Sequence, residues 1–222
     1  AAAAPDVLIC SSTSGLLPSD FQAECQHPER VLVGHPFNPV YLLPLVEIVG
    51  GKKTSMENRT RAGAFYESIG MHPIQCRTEV EGFLSDRLQE ALWRENLHML
   101  AEGHATTQEM DDAIIYGPGL RWAFMGVNRT FALAGGDDGM RHFMHQFGPA
   151  LKLPWTKLVA PELTDELIDT VVEGTDAQLA NTTIPEMEKL RDNCLISIME
   201  ALSEYREGAG EVLLRIRKAN AQ

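Results

Sequence analysis

Positive charge is scarce in this sequence. Against 31 Asp and Glu stand only 19 Lys and Arg, a net charge of −12. An acidic surface repels phosphate backbones and anionic headgroups, which argues against nucleic acid and membrane as partners. It also disfavours a polyanionic ligand wherever no local basic patch overrides it, although the same charge equally serves solubility. Cysteine is sparse too. Cys10, Cys25, Cys76 and Cys194 are scattered without a C-x-x-C pair, so neither a disulfide framework nor a metal site is indicated. Reduced thiols and a cytoplasmic location are the expectation. No apolar run reaches the roughly 18 residues of a membrane-spanning helix, and no basic-then-apolar leader is visible. No G-x-G-x-x-G occurs. The opening Ala1 to Asp6 lacks a starting methionine, so the numbering is read as beginning inside a longer protein.

What is present falls into two regimes. Val7 to Cys10 reads as a short buried parallel strand running into a Ser/Thr-rich loop. A short helix follows at about 18–25, a second strand at Val31 to Gly34, a turn at His35 to Pro39, and a third strand at Leu42 to Val49. Thr54 or Ser55 caps a helix that ends at Gly70, and Ile74 to Cys76 is a last strand. Such strand–helix alternation implies part of an α/β sheet. From about residue 80 the pattern is helical throughout, with helices over 83–101, from Thr106 onward, and over 121–134, 138–147, 163–173 and 184–206. Thr106 with Glu109 three residues on predicts a capping box. The expected organisation is an α/β portion over 1–79 and an all-helical portion over 80–222.

The chemically informative stretch is His35-Pro36-Phe37-Asn38-Pro39 followed by Leu45-Val46-Glu47. A histidine at the edge of an open α/β sheet stands where ligands bind, and a neutral imidazole can take a hydroxyl proton. A carboxylate on its other ring nitrogen fixes the tautomer. Glu47, at the far end of an apolar strand, needs a partner to be tolerated there. The same residues also admit a structural turn histidine and an edge-of-strand glutamate.

Four ordered blocks resemble the 3-hydroxyacyl-CoA dehydrogenase family: S-S-T-S-G-L from Ser11, H-P-F-N-P from His35, L-V-E from Leu45, and E-G-F-L-S-D-R from Glu81. The resemblance implies a partial Rossmann sheet, the C-terminal portion of an NAD-binding domain, followed by an all-α dimerisation domain. About a hundred residues, including the glycine-rich pyrophosphate turn, are then expected ahead of Ala1. It implies NAD as cofactor, with His35 as general base, Glu47 as its orienting carboxylate and Ser14 as a hydrogen bond to the reacting oxygen. Ser12 and Asn38 fall toward the nicotinamide end, Ser12 departing from the family's usual Asn.

Asp86 is the notable departure, because the family pattern has Asn there. An ionised Asp accepts but cannot donate, and it attracts cations; it also suits the first turn of a helix. Trp93, two helical turns on, together with Trp122 and Phe124, could complete a site for a quaternary ammonium, or could be core. Arg121 could anchor a substrate carboxylate or pair with an acidic neighbour. Gly117 to Gly126, Gly139 to Met144 and Leu151 to Leu158 narrow the resemblance to family members acting on L-carnitine. The expectation is therefore NAD-dependent oxidation of the 3-hydroxyl of that small molecule. The alternatives are 3-hydroxybutyryl-CoA, L-gulonate, or a non-catalytic dimerisation module. Surplus apolar positions along 83–101 and 184–202 point to a homodimer.

Overall fold

The computed structural model describes residues 3–220 apart from 160, 161, 163 and 180–182. The chain forms two compact units, one running to Gln89 and joined by the helix from Ala209 onward, the other spanning Glu90–Gly208.

The first unit is built on a four-stranded sheet. Its elements run β1 (Ile9–Ser11), α1 (Pro18–Gln22), β2 (Val31–Pro36), β3 (Leu45–Gly50), α2 (Met56–Ser68) and β4 (His72–Gln75), with strand order β1-β2-β3-β4. β1 pairs parallel to β2 and β3 parallel to β4, each across a helical crossover. Between β2 and β3 there is only the loop 37–44, too short for a crossover, so these two strands pair antiparallel. His35 therefore belongs to β2 and not to a turn, because the ladder continues through His35 opposite Glu47 and Pro36 opposite Val46. β3 begins at Leu45, just after Pro44, instead of at Leu42.

Strand alternation sorts the side chains onto two faces. Leu32, Val46 and Ile48 pack with Ala62 of α2, joined by Leu8, Tyr66 and Met71. Val33 and Val49 pack on the other face with Cys76, Phe83 and Phe21. By the same two-residue period His35 and Glu47 lie on this second face. Gly34 lies on the first. A Cβ there would sit 2.3 Å from the Tyr66 hydroxyl, so only glycine lets that ring lie against the strand.

Ser55, of the two expected caps, accepts a hydrogen bond from Asn58 N, and Gly70 follows the helix with φ +87. Beyond β4 the described residues are helical: α3 (Ser85–Ala101), α4 (Thr107–Ile115), α5 (Pro118–Trp122), α6 (Val127–Ala134), α7 (Gly139–Phe147), α8 (Asp165–Leu179), α9 (Ile184–Tyr205) and α10 (Gly208–Asn220). The Thr106–Glu109 capping box is formed. Three expectations need revision. The helix expected over 121–134 is two, divided ahead of the N-cap Gly126. That expected over 163–173 starts at Asp165 and runs on to Leu179, with residue 163 outside the described residues. α10 lies beyond 184–206, the last helix expected from the sequence. Val212 and Ile216 recur at helical spacing; Ile216 meets Gly70, and Arg215 pairs with Glu67 at 2.7 Å. No described helix is long and apolar enough to cross a membrane.

Cys76 supplies a test of the second face. Burial first, then the neighbouring charge of Glu47, push its thiol up to about 11, with Arg59 opposing. Unfolded thiols lose their proton from about pH 9.0, so the folded state carries no penalty below that and is progressively disfavoured between pH 9.0 and about 11. Thermal unfolding of Cys76→Ala should accordingly show a shallower fall in Tm across that window than the unsubstituted protein.

Candidate active site

Cross-strand register places the pair at the centre of this site. His35 on β2 and Glu47 on β3 are direct partners in the antiparallel ladder, and Nδ1 lies 2.9 Å from Glu47 Oε2. Glu47 is 0% exposed, an expensive position for a carboxylate without partners. Its other oxygen, Oε1, accepts from the backbone N–H groups of Leu84 at 2.9 Å and Ser85 at 3.0 Å. These open α3, where backbone donors lack partners within the helix and the macrodipole favours negative charge. Gly82 and Phe83 reach this point through left-handed backbone, φ +70 and +48. The Phe83 ring, fully buried, lies against the imidazole with centroids 5.5 Å apart.

A carboxylate only accepts, so in the neutral imidazole the proton sits on Nδ1 of His35 and Nε2 keeps its lone pair. Nε2 faces Ser14 Oγ at 3.2 Å and Asp86 Oδ2 at 3.9 Å. The ring is 5% exposed and opens into a cleft of about 390 Å³ lined by Ser12, Ser14, His35, Asn38, Asp86 and Gln89, among others. Ser12 and Asn38 follow the carboxyl ends of the parallel strands β1 and β2, the end of an α/β sheet where nucleotides are held. Among the described residues no Lys or Arg lines the cleft, and Asp86 is its acidic side chain. None of the described residues forms a cluster placed to hold a metal ion.

The first unit thus gathers Ser12, Ser14, His35, Asn38, Glu47 and Asp86. Trp93, Arg121, Trp122 and Phe124 belong to the second unit. Trp93, 46% exposed, lies on α3, and Arg121 and Trp122 lie on α5 with Phe124 just beyond. Sequence reading missed Gln89, although its position three residues after Asp86 on a helix gave the signal. It also missed the backbone donors of Leu84 and Ser85, which no side-chain pattern reveals.

Removing the Glu47 carboxylate would strand three donors in a dry site. Glu47→Ala should lower unfolding free energy by about 3 kcal/mol, the scale of breaking a buried charged network. Glu47→Gln keeps an acceptor for Leu84 and Ser85 and should cost less than half as much. Urea titration of the two variants checks the ranking, and equal losses would show that the carboxylate does not carry these bonds.

Two family models cover most of the chain. Residues 1–80 match the 3-hydroxyacyl-CoA dehydrogenase NAD binding domain, and residues 82–175 match the C-terminal domain of the same family. The L-carnitine dehydrogenase of Pseudomonas aeruginosa is 62% identical over 210 residues, covering 95% of this chain and 65% of that protein. Its counterpart from Staphylococcus epidermidis is 50% identical over 220 residues, covering 99% of this chain and 68% of that protein. The chain therefore spans about two thirds of the length of these relatives. Among solved structures, a 5-formyl-3-hydroxy-2-methylpyridine 4-carboxylic acid 5-dehydrogenase, an NAD+ dependent dismutase, is similar with a TM-score of 0.68 and 25% identity. That match covers 89% of this chain and 64% of the other. With both domain models in order and half or more of its residues shared with such relatives, the chain belongs to the 3-hydroxyacyl-CoA dehydrogenase family.

Proposed function

We propose that this chain carries the reacting centre of an NAD-dependent dehydrogenase that oxidises the 3-hydroxyl of L-carnitine to 3-dehydrocarnitine. The observation that carries this is the position of Asp86, with Oδ2 3.9 Å from His35 Nε2 in a cleft that no described Lys or Arg lines. In carnitine the hydroxyl and the quaternary nitrogen are on adjacent carbons. A carboxylate that recognises the cation must then stand beside the base that takes the hydroxyl proton, which is where Asp86 stands. The names of the Pseudomonas aeruginosa and Staphylococcus epidermidis relatives support the same substrate.

In this mechanism the substrate hydroxyl lies between Ser14 Oγ and His35 Nε2. Its proton passes to Nε2, and Glu47 stabilises the imidazolium that forms while holding the ring in plane. Bound NAD supplies the hydride acceptor. Ser12 and Asn38 fit its nicotinamide end, since both offer exposed polar groups at the carboxyl ends of β1 and β2. The protein is further proposed to act in the cytoplasm as a homodimer with no nucleic-acid or membrane partner. Leu88 and Leu92 on α3 and Leu190 and Ile196 on α9 are exposed apolar side chains of the kind a second copy covers. Light scattering of the full-length protein at micromolar concentration should return twice the protomer mass; a monomer would remove the dimer.

Substrate identity is tested in the full-length protein by NADH absorbance with L-carnitine, 3-hydroxybutyryl-CoA and L-gulonate, carnitine being the expected substrate. His35→Gln should cut kcat by about 10²–10⁴-fold, the usual worth of a general base. Asp86→Asn should raise KM for L-carnitine about tenfold, the order expected from losing charge recognition of a cation. Its effect on 3-hydroxy-5,5-dimethylhexanoate, the isostere with an uncharged tert-butyl group in place of the trimethylammonium, should be much smaller. Equal losses on both would assign Asp86 to the reacting centre and move the ammonium site elsewhere.

A further inference from the structure

We propose that Gln89 binds the carboxylate end of the substrate, so that consecutive turns of α3 span the two charged ends of a zwitterion. The inference rests on the carnitine reading above and extends it to a residue outside that mechanism. Asp86 and Gln89 are three residues apart on α3 and line the same cleft. On a helix such residues share a face, with Cβ atoms about 5–6 Å apart. The quaternary nitrogen and the carboxylate carbon of carnitine are separated by four single bonds, about 5 Å when extended. The hydroxyl-bearing carbon lies midway between them, and His35 faces the cleft beside Asp86.

Chemistry selects Gln89 from the cleft's other side chains. Ser14 is engaged with His35. Ser12 and Asn38 stand where the cofactor reading needs them. Pro36, Phe37 and Val40 bring no side-chain donor. The amide of Gln89 offers two N–H donors and no charge. A neutral donor suits this place better than a cation would, because Lys or Arg one turn from Asp86 would pair with that carboxylate and cancel its attraction for the ammonium. The hydroxyl, the ammonium arm and the carboxylate arm would each meet a different residue, which fixes the handedness of the carbon that bears them.

The test compares L-carnitine with (2-hydroxypropyl)trimethylammonium, which keeps the cation and the hydroxyl and replaces the carboxylate arm by methyl. The analogue is measured in the full-length protein as a substrate or, without turnover, as a competitive inhibitor. Gln89→Leu should lower kcat/KM for L-carnitine about tenfold, the order expected for a hydrogen bond to a charged group. Gln89→Glu should lower it further by like-charge repulsion, with Gln89→Asn intermediate. Gln89→Leu and Gln89→Asn should leave the analogue within about twofold, a change worth less than a typical single hydrogen bond, whereas the added carboxylate of Gln89→Glu should favour this cation while disfavouring L-carnitine. Equal losses on both compounds, or no loss on L-carnitine, would overturn the role of Gln89. An unsubstituted protein inactive on L-carnitine would instead overturn the substrate reading on which this one stands.

Discussion

A single buried carboxylate ties this site together. Glu47 sends one oxygen to His35 across the strand pair and the other to the two backbone donors that open α3. Each partner alone would leave an uncompensated charge in a dry place, and together they satisfy it. The tautomer of the imidazole, the register of β2 on β3 and the entry point of α3 are therefore one arrangement. Asp86 and Gln89 inherit their positions from it, since both ride on the helix that Glu47 holds at its start.

Much of this was legible along the chain. His35, Glu47 and Ser14 stood out because ordered blocks of residues carry them, and the Thr106–Glu109 box because its residues are local. The strand pairing was harder. Nothing in the string of residues states that 37–44 returns antiparallel, and so His35 read as turn when it is strand. Backbone donors leave no mark in side-chain patterns, which hid the second half of Glu47's partnership. The helix at 208–220 was masked by two glycines at its start, although the aliphatic spacing behind them was regular. The aromatic residues are the reverse case. Trp93, Trp122 and Phe124 are conspicuous by type, yet what they face is decided by tertiary placement, to which composition is blind.

Family and substrate rest on different residues. In the mechanism proposed above, the His35–Glu47 pair and Ser14 would serve removal of a proton from a hydroxyl whatever acid carries it. In the proposed reading, discrimination among 3-hydroxy acids would lie with groups around that centre. Where the resemblance implies an amide that can donate, position 86 of this chain carries a carboxylate, which cannot when ionised. In the proposed reading, that exchange of nitrogen for oxygen would change which end of a substrate is welcome beside His35. The scarcity of basic side chains, noticed first in composition, has its local counterpart in a cleft that no described Lys or Arg lines.

The short return between β2 and β3 has a bearing on how such a chain can change over evolutionary time. Side chains alternate across a strand, so sliding β3 by one residue would turn Glu47 away from the imidazole and toward the greasy layer of Leu32 and Ala62. Loops on protein surfaces usually gain and lose single residues freely. Residues 37–44 lack that freedom wherever a change in length is passed on to the pairing. Point exchanges along this stretch can drift, while single insertions and deletions should be purged, making its length a better marker of a working centre than its letters.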